Sequence, residues 1–162
     1  KRNINLYVIS EDQFGKLIKS NDTIKNNLKT WINNYRMISD TIDILDPFIL
    51  NFGINFMIKS KPGSNKFTTL DTAMDALRQY YTQNYYIGQH FSISDVYSVL
   101  KEVPDVLDVL SVKIVSKTTV GYSQAEIDIN ENTSPDGDSV IIPKNAIVEI
   151  KFPEVDIVGK VK

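Results

Sequence analysis

Cysteine is absent from the 162 residues, which removes disulfide scaffolds, thiolate zinc sites and cysteine nucleophiles together. Histidine occurs once, at His90, and a lone histidine with no thiolate nearby cannot make a metal site by itself. The seven glycines are scattered, so no phosphate-cradling loop is present, and the G-x-S-x-G, G-x-x-x-x-G-K and G-x-G-x-x-G patterns are missing. No run approaches the roughly 20 apolar residues that span a bilayer. No basic stretch leading into an apolar segment opens the chain. Neither sign of charge dominates: 18 Lys and Arg stand against 20 Asp and Glu, so no strong field draws in nucleic acid or a membrane surface. These absences leave no catalytic, cofactor-binding or metal-ligating residue to assign, and the chain is expected not to be an enzyme.

What is present is enough apolar residue, 42%, to close one core with a small appendage. Ile4, Leu6 and Val8 alternate with polar or amphipathic neighbours, the period of a half-buried strand. Asp22 or Thr23 is the expected cap of a helix whose apolar positions Ile24, Leu28, Trp31, Ile32, Tyr35 and Ile38 recur every three or four residues, with Trp31 turned inward. A short strand over 41–45 ends at Asp46-Pro47, because proline offers no N–H to a ladder. Phe48, Leu50, Phe52, Ile54, Phe56 and Ile58 then fall on one face of a long strand, with Ile49, Asn51, Gly53, Asn55, Met57 and Lys59 on the other. Such a strand needs a layer of helices on its apolar side. Two helices are expected to supply it, one starting at Thr68 and Asp71 and a shorter one starting at Ser92 and Asp95. Residues 106–115 return to strand composition.

The resulting β-α-β-β-α-α-β order predicts an α+β, ferredoxin-like sandwich over 1–120. A small C-terminal β extension is expected over 121–162, with strands at 125–129 and 146–152. Because the chain enters a strand at once from Lys1, it is expected to be the C-terminal fragment of a longer one. Asp40, Asp43 and Asp46 read as turn and cap residues rather than paired catalytic carboxylates. Asp128, Asn130 and Asn132 imitate the start of a calcium loop, but Thr133 replaces its glycine and Ser139 its closing glutamate. The acidic stretch 126–138 therefore reads as a solvated loop, and His90 as a solvent-facing or hydrogen-bonded loop residue.

Asp46-Pro47-Phe48 leading into the long strand, Tyr86-Ile87-Gly88 before a serine-capped helix, Pro104-Asp105-Val106 opening the last strand of the main domain, and Ile142-Pro143-Lys144-Asn145-Ala146-Ile147-Val148 near the end together resemble the baseplate J-like family. The likeness is one of order and spacing over most of 3–160. One departure stands out: the family commonly has glycine where this chain has Asp105, and a left-handed backbone there costs aspartate more than glycine. The resemblance implies a structural virion protein of a contractile phage tail, located in the tail baseplate and assembled in the host cytoplasm. It would be dimeric or ring-forming, work with other baseplate wedge proteins, and relay the change that triggers sheath contraction. It implies no cofactor, no nucleic-acid partner and no membrane. A ligand- or RNA-binding ferredoxin-like module is the alternative, although the RNP pattern is missing.

Amphipathic residues on uncovered faces or edges are the natural candidates for protein contacts. These are Asn51, Asn55 and Met57 on the mixed side of the long strand, Tyr85 and Tyr86 beyond the second helix, and Ile147, Glu149, Lys151 and Phe152 on the terminal strand. Of the four tyrosines in that cluster, Tyr80 or Tyr81 is expected in the core, and Tyr85 or Tyr86 nearer the surface.

Overall fold

Helices and strands alternate along the chain in an α+β pattern, and the described residues of this computed structural model are 2–37, 40–82 and 85–162. They divide into two compact units, Lys1–Phe48 and Ile49–Lys162. The division falls at 48/49, whereas the sequence expectation placed it at 120/121.

The first unit contains β1 (Arg2–Tyr7), the hairpin β2 (Ile9–Glu11) and β3 (Leu17–Lys19), α1 (Asp22–Asn33) and β4 (Asp40–Leu45). β1 and β4 pair in parallel, Ile4 opposite Ile42, and α1 supplies the crossover that parallel strands need. The cap of α1 is Asn21, one residue before the expected position; its Oδ1 accepts from Thr23 N at 2.9 Å. Trp31 is not inward: it is 61% exposed, with its ring 4.9 Å from that of Tyr35. The apolar stripe of α1 is broader than a two-stranded sheet can cover. Lys25, Leu28 and Ile32 are half-buried, while Ile24, Trp31 and Tyr35 form a second, exposed row. Lys25 Nζ pairs with Asp22 and Asp46, each at 3.0 Å, and Lys29 with Asp43 at 3.6 Å. Asp43 and Asp46 are thus partners of helix lysines rather than turn residues. Ile38, the last expected helix position, lies outside the described residues.

The second unit runs through β5 (Phe48–Ser60), α2 (Lys66–Tyr80), β6 (Phe91–Ser92), α3 (Ile93–Glu102), β7 (Val106–Ser116), β8 (Ser139–Val140), β9 (Ala146–Glu149), α4 (Pro153–Asp156) and β10 (Ile157–Val161). β5 is the centre of its four-stranded sheet: β7 pairs with it antiparallel, β10 pairs with it in parallel, and β9 also joins it. A single ferredoxin-like sheet is not among the described pairings, since the β1–β4 pair forms its own sheet. Leu50, Phe52, Ile54, Phe56 and Ile58 are buried on one face of β5 as the alternation predicts, and only Phe48 escapes. Ala73 and Leu77 of α2, and Val96 and Leu100 of α3, cover that face. Phe91 is the aromatic centre, with rings of Phe52, Tyr81 and Tyr85 at 5.7, 5.5 and 5.8 Å.

Asn65 caps α2 by accepting from Phe67 N at 3.0 Å, earlier than the expected Thr68 start. Ser92 caps α3 as expected, its Oγ accepting from Asp95 N at 3.1 Å. Residues 125–129 form no strand. Asp128 Oδ1 accepts from Asn130 N and Glu131 N, a local turn that competes with a ladder, while Ala125, Ile127 and Ile129 still pack on the core. In β7 the register slips twice, because Ile58 pairs with Val109 after Met57 pairs with Ser111, and Ser60 with Val106 after Lys59 with Asp108. The residues left over are Leu110 and Leu107, both exposed, and such bulges blunt an edge strand against further pairing.

Asp105 is the one described non-glycine residue with positive φ, +67°, and its carbonyl accepts from Lys61 N at 2.8 Å. A left-handed backbone costs most residues roughly 1–2 kcal/mol, with aspartate among the more tolerant. Asp105→Gly is expected to match the native stability or exceed it by up to about 1 kcal/mol, and Asp105→Val to fall below it by about 1–2 kcal/mol. Urea midpoints of the three proteins check the ranking; valine as stable as aspartate would contradict it.

Candidate protein interface

The second face of β5 carries Asn51, Gly53, Asn55 and Met57, and the rest of the unit treats its two halves differently. Over Asn51 and Gly53 lie Lys117, Ser123, Glu149 and Asp156 of α4. A Cβ on Gly53 would stand 2.7 Å from Lys117 Cε and 3.0 Å from the Asp156 carbonyl oxygen, so only glycine allows this approach. Asn51 is fully buried; its Nδ2 donates to Glu149 Oε2 at 2.9 Å and its Oδ1 accepts from Ser123 N at 2.7 Å. Asp156 is also fully buried, accepting from Tyr122 Oη at 2.5 Å and Phe152 N at 2.9 Å, with Lys117 Nζ at 3.9 Å. These groups close a polar clasp that fastens the C-terminal segment over the start of β5. Burial, and then the Asp156 carboxylate, push the Tyr122 hydroxyl up to about 12.

Over Asn55 and Met57 the face is open. A shallow depression of about 390 Å³ crosses the sheet there, lined by Asn55, Met57, Ser111, Lys113, Val158 and Lys160. Lys113 lies opposite Asn55 and Lys160 opposite Met57, so the two ammonium-bearing stems flank β5 from β7 and β10.

The expected contact residues therefore separate. Asn55 is exposed and Met57 half-buried, both in the depression. Asn51, Ile147 and Glu149 are buried inside the unit, because β9 pairs with β5 and the clasp covers its polar positions; these three are corrected from interface to interior. Lys151 is half-buried, and its Nζ lies 5.8 Å from the centre of the Phe152 ring. Phe152, 40% exposed, packs edge-on against Tyr122 at 5.4 Å. Tyr81 is buried, Tyr85 half-buried against it, and Tyr86 is exposed, so that cluster is divided much as expected. Burial raises the hydroxyls of Tyr81 and Tyr85 well above the ordinary tyrosine range. His90 is a loop residue whose Nδ1 accepts from Ile142 N at 3.0 Å. Among the described residues no three His, Asp or Glu side chains gather as a metal ion would need. Lys113 and Lys160 were missed by the sequence reading, because only strand pairing brings them to one patch.

Compared with known proteins, the chain matches no family model and no curated sequence.

Asn51→Ala would leave Ser123 N without its side-chain partner and take one from a buried Glu149, and is expected to cost about 2–4 kcal/mol. A loss below about 1 kcal/mol in denaturant unfolding would show that the clasp does not hold the segment. Tyr122 supplies a pH signature. Its hydroxyl is held protonated above its ordinary 10.0, so its contribution is complete below pH 10 and is lost as the pH climbs through about 12. The stability gap between the native protein and Tyr122→Phe is expected to be constant below that window and to shrink across it; a constant gap to the end would exclude the assignment.

Proposed function

We propose that this chain is a non-catalytic assembly domain that works through protein–protein contacts. Its specific role would be that of the C-terminal part of the large wedge subunit of a T-even-type contractile phage tail baseplate. In that role it joins wedges into a ring around the hub, by self-association as a homodimer and by contacts with other wedge proteins, and relays the change that triggers sheath contraction. Its place would be the virion.

The observation that carries the assembly reading is apolar surface with no cover of its own. Among the described residues of the first unit, Leu17, Ile42 and Pro47 are the buried apolar side chains, and α1 buries none of its residues. Trp31 and Tyr35 stand exposed in one row, large rings of the type that anchor interfaces because they bury much area at little rotamer cost. The baseplate part of the reading rests on the family resemblance of the quoted segments. Two of these meet: Gly88 N donates to Ala146 O at 2.8 Å, at a φ of +75° that glycine adopts readily. No helix among the described residues is long and apolar enough to cross a membrane.

The ligand- or RNA-binding alternative draws on Lys113 and Lys160 at the open sheet face, but Met57 and Val158 occupy the positions where base-stacking rings would be wanted.

Sedimentation equilibrium across a wide concentration range tests the reading. The native chain is expected to self-associate, and Trp31→Ser with Tyr35→Ser to weaken association at least about tenfold, or ~1.4 kcal/mol. Both residues are exposed, so monomer stability is expected to change by less than about 0.5 kcal/mol. A strict monomer at every concentration would overturn self-association, and an unchanged association constant would remove α1 from the contact.

A further inference from the structure

We infer that the lysine-flanked depression on the open face of the second unit receives the acidic hairpin tip Pro135-Asp136-Gly137-Asp138 of a second copy, in a head-to-tail contact. The inference rests on the assembly reading and gives it a surface and a direction.

The depression has an apolar floor from Met57 and Val158, and its cations sit on the two strands that flank β5, which lie about 10 Å apart by sheet spacing. Among the described residues neither Lys113 nor Lys160 has an ion-pair partner, and Lys59 adds a third exposed ammonium group further along β5. The complementary charge lies in the same sequence: Glu126 and Asp128 line a neighbouring depression with Lys113 of their own copy, which leaves Asp136 and Asp138 at the tip to reach another molecule. Asp136 and Asp138 are exposed and equally without a cationic partner among the described residues.

The tip is built in advance. Ser134 N donates to Ser139 O and Gly137 N to Ser134 O, each at 2.8 Å, and Thr133 bridges to Val140 at its base. The Asp138 carbonyl accepts from Ile93 N and Ser94 N at the start of α3. Little chain entropy is therefore lost when the tip docks. The same hydrogen bonds hold the tip beside α3, on the helical side of the sheet, whereas the depression is on the opposite face. A copy cannot fill its own depression, so the occupant is another molecule. Because tip and depression lie on opposite sides of the unit, one partner cannot engage both at once, so the contact is head-to-tail and, repeated, makes a ring or a chain.

A tip in a shallow cleft buries less than the roughly 1,000 Å² of a stable interface, so the contact is weak and screened by salt, whose Debye length falls from about 10 Å at 0.1 M to about 3 Å at 1 M. The absence of native cysteine makes crosslinking a clean readout. Full chains bearing Pro135→Cys and Ser111→Cys, both exposed positions, are mixed at low salt and oxidised. The ratio of mixed disulfide to the two like-with-like products together is expected to exceed its statistical value by about tenfold, in proportion to a bias of ~1.4 kcal/mol, and to fall to that value in 1 M salt. Lys113→Glu with Lys160→Glu in the Ser111→Cys chain is expected to abolish the excess. Asp136→Lys with Asp138→Lys in the other chain is expected to restore it, which also shows that the variants fold. A statistical mixture while sedimentation still reports association would overturn this contact and leave the assembly reading standing. A statistical mixture with a strictly monomeric native chain would overturn both.

Discussion

The constraint on which the second unit depends is that β5 must be covered on both faces at its start and on only one at its end. Its apolar face is closed by α2 and α3, an arrangement dictated by a row of large side chains at every second position. Its other face begins with Asn51 and Gly53, which accept cover only because glycine lets Lys117 and the Asp156 carbonyl come close and because the Asn51 amide is hydrogen-bonded at both its nitrogen and its oxygen. A buried carboxylate such as Asp156 is tolerable when hydrogen bonds from Tyr122 and Phe152 replace those of water. Where that clasp ends, the sheet face opens, and Lys113, Lys160, Asn55 and Met57 meet solvent.

The clasp also explains why the C-terminal segment is part of the unit and not an appendage. Asp156 ends α4 and leads directly into β10, which pairs with β5 from Ile157 opposite Ile54 to Val161 opposite Ile58. Gly159 is required there, since a Cβ would fall 2.4 Å from the Phe56 ring and 2.7 Å from Leu70. Sequence-distant residues thus complete the sheet that β5 and β7 begin. The open patch exists only because β10 brings Lys160 to it.

The two units solve the problem of apolar surface in opposite ways. The second has a continuous core from Leu50 to Ile157, centred on Phe91. In the first, a two-stranded sheet faces a helix whose apolar stripe is wider than the sheet, and lysine–aspartate pairs along Lys25 and Lys29 do part of the joining. The exposed pair of Lys29 and Asp43 contributes little, typically under about 1 kcal/mol. The uncovered row of Ile24, Trp31 and Tyr35 is the physical basis for the assembly reading, and the lysine-flanked depression is the basis for its proposed direction.

The sequence by itself determined what depends on local periodicity and local hydrogen bonding. The alternating row of β5, the break at Pro47, the Ser92 cap and the strand over 106–115 were all legible, because each is decided within one or two turns of chain. Tertiary structure alone decided which apolar row of α1 faces the sheet and that Asn51, Ile147 and Glu149 are interior. It also turned the alternating 125–129 segment into an irregular one and gathered Lys113 and Lys160 onto one patch. The reason is common to all of these: period fixes which side of an element a residue occupies, but burial of that side depends on partners brought from many residues away, and nothing in a local pattern encodes them.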